Sequence, residues 1–320
     1  MSGTVLIVST IVDLATDSVV EALNYRGVPL VRVNTEDLPF ASEISYSFGA
    51  EDSQSIFWKE RPAETWFESV WYRRVRAPSV PDGMDSGTYD FCVRENRSAL
   101  IGGLLGQQAR WMSQPAAIWH AEFKPFQLQV AKDLGLKVPK TLISNRPESI
   151  REFQLYVKDL IAKPVRSGHV VKNGVECAVF TTRLKDEDFL DLADARLSPT
   201  IYQELLPKKY NVRVTIVGQK VFAAAIDSQS DPSASIDWRM TKNPNHPHLL
   251  IELTNCLVEK LLELMSRLSL SYGAIDLVLT PDGQYFFLEI NPNGQWLWLD
   301  DMLNLGISEA IANWLAGEAP

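Results

Sequence analysis

One stretch near the C-terminus, GAIDLVLTPDGQYFFLEINPNG over residues 273–294, limits the possible folds more than any other part of the chain. Two apolar, β-rich runs flank Pro281–Asp282–Gly283, which is turn chemistry, so the stretch reads as a hairpin. Side chains alternate along a strand, so Glu289 and Asn291 project from the same face. Phe287, Leu288 and Ile290 would otherwise make this a fully buried strand. An acid in such surroundings is costly unless it is paired or binds a cation. With Asp276 on the adjacent strand, three hard oxygen donors converge, and such donors suit Mg²⁺. The competing arrangement pairs Glu289 with a buried arginine and leaves Asp276 at an edge.

The rest of the chain is read around that hairpin. TVLIVST over 4–10 has the β-branched character of a buried parallel strand. Helical spacing over 17–26, a stop at Gly27 and the strand VPLVRV complete a strand–helix–strand unit, which implies an α/β sheet. A hairpin over 44–58 follows, then the strand SVWYRR ending on Arg73 and Arg74, a Pro-rich loop over 76–83 and a helix over 89–105. A second segment opens near Trp119. It contains a Gly-capped helix over 121–135, the strand VPKTLIS and a helix opened by Asn145 and Pro147. Strand, polar loop and strand then run over 160–182. The third segment begins near Thr200 with IYQELL. NVRVTIV and KVFAAAI turn at Gly218, an amphipathic helix covers 251–268, and a final helix runs to Trp314. The expected division is 1–118, 119–198 and 199–320, since 320 residues exceed one typical core.

Composition removes several functions. Acidic residues number 40 against 31 basic ones, a net charge of −9, whereas nucleic-acid binders gain affinity by neutralising phosphates. Three cysteines are too few for a disulfide framework. The first residues lack a basic n-region, and their apolar run is too short for a signal or a membrane span. No nucleic-acid or membrane partner is therefore expected, and a reducing cytoplasm fits.

Further candidates lie upstream of the hairpin. Lys124 is placed one turn into a helix facing a cleft. Lys163 ends the apolar strand LIAK, where its amine can reach a phosphate while its stem packs on apolar neighbours. The loop over 165–174 either covers phosphates with its N–H groups or is a solvated hairpin tip. It lacks P-loop spacing, and no GxGxxG occurs. Gln203, Glu204 and Leu206 end a strand, either as an ordinary strand end or as a linker offering main-chain groups to an adenine edge. Arg213, on the same side as Asn211, and Arg239, after the polar run 228–237, either clamp a carboxylate or phosphoryl group or form surface ion pairs. Isolated histidines do not suggest zinc, and no Gly-x-Ser-x-Gly elbow supports hydrolase chemistry.

In their order, FKPFQLQVAKDLGLKVPKTLISN, LIAKPV, YQELLP, NVRVTIVG, GAIDLVL and FLEINPNGQW resemble the ATP-grasp superfamily over roughly 119–299. KPFQLQ, LISN, EINPNGQW and the upstream VWYRR are similar to the graspetide synthetases, which include the microviridin ligases. The resemblance implies an N-terminal α/β pre-ATP-grasp domain followed by central and C-terminal lobes clamping ATP. Lys124 and Lys163 would touch ATP phosphates, and Gln203, Glu204 and Leu206 would form the adenine hinge. Asp276, Glu289 and Asn291 would hold Mg²⁺, with Glu289 bridging two ions. Arg213 would neutralise the transferring phosphoryl group, and Arg239 would bind the acceptor carboxylate. Arg73 and Arg74 either contact substrate or form a buried ion pair. Many superfamily members carry an acid just after the hinge to hold the ribose, but Lys208, Lys209 and Tyr210 stand here, so no ribose ligand is assigned. The implied reaction activates Asp or Glu side chains of a ribosomal precursor peptide (a leader plus an acidic, Thr-rich core) as acyl phosphates. Linking them to Thr or Ser hydroxyls or Lys amines makes a macrocycle. Competing readings are a ligase adding amino acids to a protein terminus or small acid, like the ribosomal-protein glutamate ligases, and a non-catalytic nucleotide-binding scaffold. Homodimers are common in the resembled branch, and nothing in the composition decides the point.

Overall fold

The structure, a computed structural model, describes residues 3–38, 42–47, 53–58, 61–62, 67–106, 108–166, 168–172, 175–240, 243 and 247–318. The expected strand–helix–strand opening forms as β1 (Val5–Ser9), α1 (Leu14–Tyr25) and β2 (Leu30–Asn34). Asp13 starts α1 by accepting from the Thr16 N–H. A hairpin of β3 (Ser42–Ser47) and β4 (Ser53–Trp58) continues into β5 (Arg61–Pro62). The tip of that predicted hairpin lies outside the described residues. β6 (Ser69–Tyr72), α2 (Ser86–Leu105), β7 (Arg110–Trp111) and α3 (Pro115–Ala121) follow. β1, β2, β6 and β7 form a parallel sheet in the order β2-β1-β6-β7.

The helix expected over 121–135 is α4 (Lys124–Asp133), which starts three residues later than expected and is separate from α3, ending at Ala121. Pro125 explains the break: inside a helix it would remove a hydrogen bond and clash, while in the first turn it costs nothing. Lys124 therefore opens α4 and does not sit one turn in. β8 (Thr141–Ser144), α5 (Pro147–Tyr156), β9 (Leu160–Lys163), β10 (His169–Lys172), β11 (Val175–Ala178), β12 (Thr182–Arg183) and β13 (Thr200–Glu204) come next. Asn145 does not cap α5. Its amide donates to the Arg196 C=O, and the capping position falls on Arg146. Much of the stretch expected as a loop over 165–174 is strand β10, paired with β11; Ser167 and Gly174 lie outside the described residues.

Strand β13 belongs to the central antiparallel sheet, order β12-β9-β13-β8, and not to the third segment, where the sequence reading placed it. The C-terminal part contains β14 (Tyr210–Val217), β15 (Lys220–Ile226), β16 (His248–Leu250), α6 (Asn255–Arg267), β17 (Tyr272–Leu279), β18 (Tyr285–Asn291), α7 (Leu297–Leu303) and α8 (Ile307–Ala316). Its antiparallel sheet has the order β16-β15-β14-β17-β18. Gly218 takes a φ of +59° between β14 and β15, and Gly283 one of +81° in the hairpin turn, as both turn positions require. The amphipathic helix begins four residues later than its pattern, because Thr254 caps α6 by accepting from the Leu257 N–H. The final helix is broken at Asn304 and Gly306, both at positive φ. Asp300 restarts it as α8 by accepting from the Ile307 and Ser308 N–H groups at 2.8 Å.

Three clusters of buried side chains hold these layers together. One joins Leu6, Val8, Phe67 and Leu100 to Val212, Leu261, Ile275 and Phe287. A second joins Val5, Ile7, Val19 and Trp71 to Ala224, Trp296 and Ile311. The N-terminal and C-terminal sheets therefore share their cores. The central sheet has a smaller core of its own, with Ile150, Leu160, Phe189 and Tyr202. Among the described residues, no helix is long and apolar enough to cross a membrane.

Candidate active site

Across the C-terminal sheet, Arg213 on β14, Asp276 on β17 and Glu289 on β18 are direct register partners. They form one row on the face opposite Val212, Ile275 and Ile290, which enter the shared core. Strict alternation would put Phe287 on the same face as Glu289. A β-bulge prevents it: Asp276 pairs with Glu289 but Leu277 pairs with Phe287, leaving Leu288 as the extra residue. Phe287 and Ile290 thus both reach the core while Glu289 and Asn291 stay together. The bulge reconciles an apolar strand with a polar site.

Each carboxylate faces a protein cation. Arg213 Nη1 lies 3.1 Å from Asp276, and Lys124 Nζ lies 2.9 Å from Glu289 Oε2. Burial pushes the Asp276 carboxyl up, against the pull of Arg213, and the Glu289 charge adds to the rise. Burial acts on Glu289 too, but Lys124 and Lys163 outweigh it and hold its carboxyl below the usual range. Burial also lowers the Lys163 amine, which lies in the field of Glu289, Lys124 and Asp276. Asn291 is exposed, and its Oδ1 accepts from the Asn293 N–H at 3.0 Å, leaving one lone pair free in principle. Among the described residues no trio of His, Cys, Asp and Glu gathers. The donor set here is two carboxylates and an amide, all hard oxygens, in a pocket balanced for positive charge. That set fits Mg²⁺.

These residues line a cavity of about 710 Å³ between the central and C-terminal sheets. It includes Lys124, Lys163, Gln203, Glu204, Leu206, Arg213, Arg239, Asp276, Glu289 and Asn291. All ten predicted cleft residues are brought together. Between the sheets, the Glu204 N–H donates to the Lys140 C=O and the Leu205 N–H to the Asp159 C=O, both at 2.9 Å. Gln203 is buried and donates to Thr141 Oγ1 at 2.8 Å. This strand end is thus fixed by its neighbours while Leu206 borders the cavity.

Arg239 is held by Asp237, whose buried carboxylate accepts from Arg239 Nε at 2.8 Å and Nη2 at 2.6 Å, and from the Thr181 N–H at 3.2 Å. Those bonds keep the Asp237 carboxyl low despite burial. The Asp237 hydrogen bond in turn raises the Arg239 guanidinium. Lys208 lines the same cavity and donates to the Ile236 C=O at 2.6 Å. Burial pulls its amine down to about 8, against the pull of Asp237 and helped by Lys163.

Arg73 is elsewhere. Its side chain is wholly buried, so it takes the ion-pair alternative: Nε lies 3.5 Å from Asp13, and Nη1 donates to the Asn293 C=O at 2.7 Å. Burial lowers its guanidinium to about 10. It also stacks over Trp296 at 4.4 Å, supporting the loop after Asn291 from behind. Arg74 is half-buried outside the cavity lining. The sequence reading singled out neither Asp237 nor Lys208 for these roles. The run DWR places an acid two residues before the arginine, which was the available signal for Asp237.

Comparison with known proteins follows the same lines. Residues 4–118 match a family model described as the MvdD pre-ATP grasp domain. No curated protein matches the chain. Among solved structures, a Chryseobacterium gregarium RiPP-associated ATP-grasp ligase, in complex with ADP and a leader and core peptide, is 29% identical with a TM-score of 0.93. That alignment covers 99% of this chain and 98% of the other. The macrocyclase MdnC from Microcystis aeruginosa, bound with precursor peptide MdnA, is 32% identical over 98% of this chain and 100% of its own, with a TM-score of 0.88. The ATP-grasp ligase PsnB, complexed with a minimal precursor, Mg and ADP, is 25% identical over 98% of this chain and 96% of its own, with a TM-score of 0.78.

Proposed function

The chain belongs to the ATP-grasp ligases of the graspetide branch, the family of the peptide macrocyclases, and from that premise we propose that it is an ADP-forming ligase that cyclises a ribosomal precursor peptide through its acidic side chains. The single observation that carries this reading is the row Arg213–Asp276–Glu289 facing Lys124 and Lys163 across one cavity. MdnC bound with its precursor and the ligase bound with leader and core peptides support a peptide as the partner.

Each side chain has a task in that reaction. Lys124 and Lys163 neutralise the ATP phosphates, and the main chain at Glu204 and Leu206, with Gln203, holds the adenine. Asp276, Glu289 and Asn291 would hold Mg²⁺, their two carboxylates and amide supplying hard oxygen donors. When bound, ATP and Mg²⁺ supply a phosphoryl group and the positive charge that lets a carboxylate accept it. A carboxylate needs this activation because its own charge repels nucleophiles and oxide is a poor leaving group. Arg213 faces the phosphoryl oxygens, and Arg239, oriented by Asp237, receives the peptide carboxylate. A Thr or Ser hydroxyl or a Lys amine of the same peptide then displaces phosphate, giving an ester or an amide. The hairpin strands β10 and β11, which follow Lys163 in the chain, would exclude water from the activated carboxyl. We read the lobes as 1–118, 119–198 and 199–320, with β13 assigned to the central lobe and α4 packed on the core of the C-terminal one.

Incubating the chain with ATP, Mg²⁺ and a candidate precursor peptide, then weighing the peptide, tests this reading. The peptide should lose the mass of one water for each bond while ADP accumulates. A mass gain equal to a free amino acid, or ADP without any change in the peptide, contradicts it.

A further inference from the structure

Strand β18 is an edge strand of the C-terminal sheet, met by the Lys137 main chain at Phe286 and Phe287, and its far end carries two of the three proposed metal donors. An edge strand presents unpaired N–H and C=O groups, and a buried one must find partners for them. Between Glu289 and Asn291 stands Ile290, and one side chain serves both of its main-chain groups. The Ile290 N–H donates to Gln127 Oε1 at 3.0 Å, and Gln127 Nε2 donates to the Ile290 C=O at 2.8 Å. The second N–H of the same amide donates to the Ala121 C=O, at the end of α3. Gln127 is 2% exposed.

A primary amide offers one carbonyl acceptor and two N–H donors. Gln127 uses all of them, so its side chain takes the place of a neighbouring strand at a single rung. The helix that carries it needs this tie, since α4 has no side-chain cap at Phe123. Lys124 precedes Gln127 by three residues and so lies on the same helix face. From there Lys124 reaches Glu289, the residue before the one that Gln127 grips.

We propose that Gln127 is the positioning residue of the nucleotide–metal site: its amide locks the β18 main chain between Glu289 and Asn291 and sets the reach of Lys124 to Glu289. The inference rests on the reading above, that Asp276, Glu289 and Asn291 hold the cation. Gln127 borders the cavity, but its amide is fully engaged by main-chain groups. It acts by fixing the spacing of two donors and of the one lysine that shares their helix–strand joint. Outer-shell partners of metal ligands act in this way in general.

The test compares Gln127→Met, which keeps length and removes every hydrogen bond, with Gln127→Glu, which retains an acceptor for the Ile290 N–H. ADP binding is measured by titration calorimetry with and without Mg²⁺, and thermal unfolding is followed in parallel. The wild-type chain should bind ADP more tightly with Mg²⁺. Both variants should lose about tenfold or more of that enhancement, the ratio of ADP affinities with and without Mg²⁺. Gln127→Glu serves if Gln127→Met does not fold. A variant that melts earlier but keeps the wild-type ratio of the two affinities shows a scaffold residue only and overturns the inference. A wild-type chain whose ADP affinity ignores Mg²⁺ overturns the nucleotide–metal reading itself, a distinct result.

Discussion

At the scale of single residues, charge inside the cavity is paired. Asp276 and Glu289 each face a cation, and Lys163, Lys208 and Arg239 line the same cavity. Lys208 changes charge in an accessible range, because burial brings its amine down to about 8. Below that value it is an ammonium ion facing Asp237 and Lys163; above it the cavity holds one positive charge fewer. ATP capture by the free enzyme should therefore weaken as pH rises through about 8, the direction expected when a cation that attracts phosphates is lost. The pH profile of kcat/KM for ATP checks this, and Lys208→Met should flatten the fall. Linkage has its own sign: the folded chain releases this proton earlier than the unfolded one, so Lys208 contributes stability that rises with pH between about 8 and 10.5. Residue type and spacing singled out the proposed site residues in the sequence, while their roles came from the family resemblance. Arg73 was not, because an arginine closing a strand reads the same whether it faces a cleft or is buried over Trp296.

Secondary-structure elements were legible where one physical signal dominated. Gly218 and Gly283 located both turns, and the alternation in β17 placed Asp276 on its face. The misreadings have identifiable causes. Pro125 fixes the start of α4 three residues into the expected helix, and Thr254 starts α6 inside an apolar pattern that continues upstream through Ile251 and Leu253. Those two residues pack on the core without being helical. The bulge at Leu288 could not be read from alternation, since an extra residue shifts which side chains face the core without changing composition. Gln127 was hidden for a similar reason: a polar residue on a helix usually faces water, and only the neighbouring strand edge shows why this one is buried.

For the molecule as a whole, the three cores define what moves with what. The N-terminal and C-terminal sheets share two of them, and Ala131 and Leu136 tie α4 and the turn after it to the same body. The central sheet rests on the small core around Ile150 and Tyr202. Lys124 therefore travels with the metal donors and Lys163 with the other wall of the cavity, so that a nucleotide bound to both bridges the two bodies. Scanning calorimetry should show the smaller body melting first, since it buries less apolar surface. Mg²⁺ with ADP should raise that first transition, by about 2.7 kcal/mol at a hundredfold excess over Kd. A first transition that stays fixed while nucleotide binds would place the nucleotide on the larger body alone. Sequence pattern gave the three segments but not their affiliations, because strand β13 and helix α4 pair with partners far along the chain.

The account's central claim is that Asp276, Glu289 and Asn291 together hold a divalent ion against the phosphates of a nucleotide. Anomalous scattering from crystals grown with Mn²⁺ and ADP tests it most directly. The predicted result is a peak within bonding distance of the Glu289 and Asp276 carboxylates, with Lys124 released from Glu289, and its loss in Glu289→Gln without a change of fold. A manganese peak away from these three side chains, or one that survives intact in Glu289→Gln, contradicts the account.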